Sequence, residues 1–98
     1  MDVIRQVVIR GSVQGVGYRA WTEYTALEFG IQGWVRNRRD GSVEALFVGP
    51  PDAVDAMIAA CNQGPRGSRV EGVDQREGTR DAFALRRRGD LFSVLPTF

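Results

Sequence analysis

Apolar and polar residues alternate from Arg5 to Val13, with Val7, Ile9 and Val13 on one side and Arg10 and Ser12 on the other. A period of two predicts a half-buried strand. Gln14-Gly15-Val16-Gly17 breaks that period as a loop, and the spacing then turns helical. Ala20, Tyr24, Leu27 and Ile31 recur at i, i+4, i+7 and i+11. This predicts a helix over residues 18–29 with those side chains on its apolar side. Gly30 stands where a glycine ends a helix in the left-handed conformation. Residues 31–37 and 42–48 predict two strands joined by Arg38-Arg39-Asp40-Gly41, a hairpin turn in which Asp and Gly both tolerate positive φ. Pro50-Pro51-Asp52 opens a second helix, proline being tolerated in the first turn and the aspartate suiting the dipole. Its Val54, Met57, Ile58 and Cys61 form one apolar stripe. Residues 63–67 predict a loop, 69–75 a fourth strand, 77–81 a turn, and 82–87 a fifth strand with Phe83 and Leu85 facing inward.

The order β-α-β-β-α-β, followed by a strand or extended tail, predicts an α+β ferredoxin-like sandwich: one antiparallel sheet covered by two helices. A length of 98 residues predicts a single domain over 1–98, with 89–98 as a short C-terminal extension. That extension carries Leu91, Phe92, Val94, Leu95 and Phe98, an apolar content unlike a disordered tail. It is therefore expected to be covered, over the open sheet face, along an edge strand or against a second molecule, in a structural rather than a catalytic role.

Composition removes whole classes of chemistry. The chain has no histidine, and all 13 basic side chains are arginine. Histidine bases, Ser-His and Cys-His nucleophile pairs, lysine Schiff bases and the P-loop lysine are all out of reach. With one cysteine and no histidine, no zinc site is expected. An enzyme built from this chain must work with arginine, carboxylates, amides, hydroxyls and backbone N–H groups. A net charge of +1 argues for neither nucleic acid nor an anionic membrane surface. No apolar run approaches the roughly 20 residues of a membrane span. The N-terminal residues lack a signal-peptide pattern. A single cysteine cannot form an internal disulfide, so a cytoplasmic location is expected.

Two segments could carry chemistry. In Ser12-Val13-Gln14-Gly15-Val16-Gly17-Tyr18-Arg19, two glycines let successive N–H groups point into one concavity. The following helix adds unpaired N–H groups and a positive dipole end. Arg19 lies in its first turn, where a planar fork can hold two phosphate oxygens. The same spacing also fits a loop that only turns the chain, with Arg19 in solvent. In Gly33-Trp34-Val35-Arg36-Asn37, the Asn37 amide can both accept from a water and donate to a phosphoryl oxygen. It could equally be a turn residue before the hairpin. Arg36, Arg38 and Arg39 could attract an anion, although a solvated hairpin face accounts for them too. Cys61, Trp21 and Trp34 read as packing residues.

Val13 to Arg19 (V-Q-G-V-G-Y-R) and Gly33 to Asn37 (G-W-V-R-N), followed by Asp40 to Glu44 (D-G-S-V-E), resemble the acylphosphatase family. The first block is similar to its phosphate-binding signature, with Tyr18 where phenylalanine is commoner, and the second to its asparagine block. The resemblance spans about Arg5 to Leu85, and Gly89 to Phe98 runs past the point where the family usually ends. It implies a metal-free and cofactor-free enzyme that hydrolyses the carboxyl-phosphate bond of small acyl phosphates. Arg19 would bind the phosphate, with Gln14, Gly15, Val16, Gly17 and Tyr18 supplying loop backbone, and Asn37 would orient the attacking water. Inorganic phosphate would be product and competitive inhibitor, and the enzyme would act as a monomer, without nucleic acid or membrane. Two rival readings are a non-catalytic ligand-binding domain of the same fold and a single-strand RNA binder. The latter would need aromatic residues on the central strands, and the first strand has none.

Overall fold

The computed structural model describes residues 1–98. The elements are β1 (Val3–Ser12), α1 (Tyr18–Glu28), β2 (Gln32–Asn37), β3 (Val43–Gly49), α2 (Pro51–Cys61), β4 (Arg69–Glu77), α3 (Arg80–Phe83) and β5 (Phe92–Val94). They make one five-stranded sheet in the order β4-β1-β3-β2-β5. The four long strands pair antiparallel, whereas β5 runs parallel to β2.

Strand alternation sorts the core into two clusters. On the helix-covered face, Val7, Ile9, Val35, Val43, Ala45 and Phe47 meet Val54, Met57, Ile58 and Cys61 of α2, the stripe expected from their spacing. On the other face, Trp34, Leu46, Val48 and Leu95 cluster, with Ile4, Ala82 and Phe83 against them. All seven residues of β3 are buried, because that strand is covered on both sides. Along β2 the parity places Val35 toward the helices and Trp34 away from them. Asn37 therefore shares the helix side with Val35, and Arg36 shares the far side with Trp34.

The buried side of α1 differs from the expected one. Tyr18, Thr22 and Ala26 are its buried residues. Tyr24 and Leu27 are exposed, at 65% and 46%. Thr22 hides its hydroxyl by donating to the Tyr18 carbonyl at 2.8 Å, so a residue that reads as polar behaves as apolar. The Asp-Gly hairpin forms, but with one positive φ, at Gly41 (94°). The Gly41 N–H donates to the Arg38 carbonyl at 3.1 Å and the Arg38 N–H to the Ser42 carbonyl at 2.9 Å. A longer turn closed by a left-handed glycine asks nothing unusual of Asp40. That side chain instead accepts from the Ser42 N–H and hydroxyl.

Residues 82–87 do not form the expected fifth strand. Arg80–Phe83 is a helical turn, capped by Thr79, whose hydroxyl accepts the Ala82 N–H at 3.0 Å. Leu85 is 49% exposed, while Ala82 and Phe83 lie against the second cluster and the Ala82 carbonyl accepts the Trp34 indole N–H at 2.8 Å. The strand comes from the tail, whose Phe92, Ser93 and Leu95 are buried. The tail thus covers the edge of β2, one of the arrangements expected for it. The Leu95 N–H donates to the Val35 carbonyl and the Phe98 N–H to the Asn37 carbonyl, both at 2.9 Å.

Candidate active site

The loop between β1 and α1 is shaped by its glycines. Gly15 and Gly17 have φ of 75° and 79°, a region that side chains with a Cβ rarely enter. Gly17 is also the N-cap of α1 and offers no side chain to accept a first-turn N–H. The N–H groups of Gly15, Val16, Gly17, Tyr18 and Arg19 accordingly donate to nothing in the chain. Five successive unpaired donors at a helix N-terminus could hold an anion through backbone alone.

The second half of the site comes from β2. Its last residue, Asn37, is held through its backbone by β3 on one side and by Phe98 on the other. Its side chain points to the helix face and makes no intramolecular hydrogen bond, nor does the Arg19 guanidinium. Gln14, Gly15, Gly17, Arg19 and Asn37 line one cavity of about 310 Å³. Of the sequence-predicted site residues, Val16 and Tyr18 do not line it. Val16 packs against the main core, and Tyr18 is 1% exposed, its hydroxyl donating to the Cys61 carbonyl at 2.7 Å. Neither side chain reaches the cavity. Burial raises the Tyr18 phenol far above its ordinary range and pushes the Cys61 thiol up to about 12. Neither group is a nucleophile near neutral pH.

Gln14 does more than lend its backbone. Its side-chain amide donates to the carbonyls of Arg38 and Ser42, at 2.7 and 2.8 Å. It ties the cradle to the hairpin that follows Asn37. Reading the motif as backbone alone missed this link; the signal was a long amide beside a glycine, able to reach across a loop. The cavity is completed by Val13, Ala20, Glu23 and Val94, none of which the motifs marked. Ala20 and Glu23 follow Arg19 within the next turn of α1, so helical spacing could have found them.

The nearby arginines divide by face. Arg36 leaves the cavity altogether: its Nε pairs with Glu44 at 2.7 Å, at side-chain exposures of 12% and 8%. Its guanidinium lies 4.6 Å from the Trp34 ring centroid and 3.9 Å from that of Phe98. Gln6 donates to the second Glu44 oxygen. This network anchors the tail from behind the site and does not attract substrate. Arg39 is exposed, and Arg38 stands 3.9 Å from Asp40, a loose pair in solvent.

A family model described as Acylphosphatase matches residues 5–86. An acylphosphatase of Bradyrhizobium diazoefficiens is 61% identical over 94 residues, covering 96% of this chain and 95% of that protein. One from Rhodopseudomonas palustris is 57% identical over 95 residues, 97% of this chain and 96% of that protein. Coverage this complete includes most of residues 89–98, so the tail is shared with these relatives, although the family match itself ends at residue 86. Among solved structures, the crystal structure of an acylphosphatase from Bacillus subtilis superposes with a TM-score of 0.81 at 32% identity, covering 97% of this chain and 99% of the other.

Proposed function

Because the chain belongs to the acylphosphatase family, we propose that its cavity hydrolyses acyl phosphates with Arg19 and the loop amides on the phosphoryl group and Asn37 on the attacking water. The protein is a hydrolase of the carboxyl-phosphate bond in small acyl phosphates. The observation that carries the division of labour is the cluster of unpaired donors. Gly15, Gly17 and Arg19, from a run of loop N–H groups without an acceptor in the chain, line one cavity together with the free Asn37 carboxamide.

The chemistry asks little more. An acyl phosphate already has a good carboxylate leaving group, so no general acid is needed. Phosphoryl transfer depends mainly on positioning and charge stabilisation. The loop amides and Arg19 neutralise the equatorial oxygens as the transition state forms. Asn37 accepts a proton of the water in a hydrogen bond and aims its oxygen in line with the leaving carboxylate. The water oxygen–phosphorus bond forms as the phosphorus–acyl oxygen bond breaks, and the bonding pair leaves with the carboxylate. The water proton passes to a phosphoryl oxygen, so a dianionic substrate gives carboxylate and dihydrogen phosphate, and no side-chain base takes part.

Both polar side chains come from one copy of the chain, which supports a monomer as the working unit of residues 1–98. No helix is long and apolar enough to cross a membrane. The buried, unpaired Cys61 suits a reducing, cytoplasmic setting. Turnover of benzoyl phosphate with inorganic phosphate titrated in tests the shared anion site. Competitive inhibition is expected, because product and substrate phosphate use the same cradle. A non-competitive pattern overturns the assignment.

A further inference from the structure

Glu23 is a carboxylate with no evident structural task. It sits one helical turn after Arg19, is only partly exposed, and lines the same cavity as Arg19 and Asn37. It accepts no hydrogen bond and pairs with no arginine, although Arg19 stands four residues before it on the same helix. An i, i+4 pair of opposite charges on a helix is within reach of pairing, and here the two remain apart.

The cavity lining can be divided by role. Gly15, Gly17 and Arg19 serve the phosphoryl group and Asn37 serves the water. In-line attack places the leaving carboxylate, and the acyl group attached to it, on the side away from that water. The walls left for the acyl group are Val13, Gln14, Ala20, Glu23 and Val94. Glu23 is the only charged residue among them, and its charge is negative. An uncharged acyl group meets nothing unfavourable there. One that ends in a second carboxylate brings like charge toward Glu23 in a site partly screened from water.

We infer that Glu23 is a specificity-determining residue, which disfavours acyl phosphates whose acyl group carries a further negative charge. This rests on the assignment of the phosphoryl group to Arg19 and the loop. Two unit charges within one cavity of this size, at an effective dielectric between protein surface and water, repel by an amount worth about three- to ten-fold in rate. The effect belongs in kcat/KM, since it opposes substrate and transition state alike.

The test compares kcat/KM for benzoyl phosphate and succinyl phosphate in the wild type, Glu23→Gln, Glu23→Asp and Arg19→Ala. Glu23→Gln is expected to shift the ratio about five-fold toward succinyl phosphate, and the shift should shrink at 0.5 M salt. Glu23→Asp keeps the charge and should keep the wild-type preference. A ratio that stays put in Glu23→Gln, or that moves equally in Glu23→Asp, overturns the inference. Arg19→Ala separates the two levels of the argument. If it abolishes turnover of both substrates while Glu23→Gln leaves the ratio unchanged, the specificity role falls and the site stands. If Arg19→Ala turns over both substrates normally, the site assignment itself falls and the inference goes with it.

Discussion

The two halves of the active site are built on opposite plans. In the loop from Gly15 to Arg19 the backbone N–H groups are left unbonded and, in the proposed site, are themselves the binding surface. At the end of β2 the backbone is held in place, with β3 on one side and Phe98 donating to the Asn37 carbonyl on the other, and the Asn37 side chain is what is on offer. A cradle for a spherical anion gains from many donors of fixed direction. Aiming one water requires a single side chain on a base that does not move. Glycine supplies the first condition and strand pairing the second. The only side-chain hydrogen bonds between the halves run from the Gln14 amide to the carbonyls of Arg38 and Ser42.

Breaking the cradle should cost most. Arg19→Ala removes the charged fork and is expected to lower kcat/KM by on the order of 10³-fold or more. Arg19→Lys should fail badly as well, since a point charge does not replace bidentate geometry. Circular dichroism should show the fold intact, and activity within about threefold of wild type would refute the role. Asn37→Ala should lower kcat by about 10²-fold with little change in KM, because water placement matters in the transition state alone. A raised KM at constant kcat would make Asn37 a binding residue.

The link between the halves should matter less than either half. Gln14→Ala loses two hydrogen bonds, worth about 1 kcal/mol each, and is expected to cost about ten-fold in kcat as the two halves lose register. If only the melting temperature falls, the link is structural and not positional. Phe92→Ala addresses the strand behind Asn37. Phe92 is 3% exposed and stacks near Phe47 at 6.1 Å between centroids, so its truncation should cost about 3 kcal/mol and lower Tm by roughly 10 °C or more. Turnover at 20 °C should stay within a few fold; a larger loss would move the tail into the catalytic machinery. The smallest effect expected is none: activity should survive EDTA, as the proposed steps use only arginine, amides and backbone donors. Loss of activity restored by magnesium or zinc would refute this.

Much of this arrangement can be read from local spacing. The α2 stripe and the hairpin depend on neighbours in sequence, and Arg19 and Asn37 sit beside glycine and strand signals that declare themselves. The errors arise where a hydroxyl makes a short-range hydrogen bond or a distant segment takes an edge, neither of which the apolar pattern shows. Thr22 counts as polar until its hydroxyl is seen on the Tyr18 carbonyl. Phe83 and Leu85 alternate like a strand, yet Thr79 supplies a helix cap, and the edge of β2 is taken by Phe92–Val94 instead. Val94 reaches the cavity only through that parallel pairing, which no local pattern encodes. Glu23 escaped notice for a different reason: as a charged residue on a helix it looks solvated, and only the neighbouring walls give it a place in the site.

The burial of Cys61 has a bearing on the hazards of the enzyme's own substrate. Acyl phosphates acylate amines and thiolates as well as phosphorylating water, so a protein that handles them is exposed to covalent damage. This chain presents no lysine amine and no imidazole. Its guanidinium groups stay protonated at any physiological pH. Its one thiol is 0% exposed, and its ionisation is pushed up to about 12. The side chains most open to acyl transfer are therefore missing or shut away, and the positive charge proposed to hold the phosphate is of a kind the substrate does not erase.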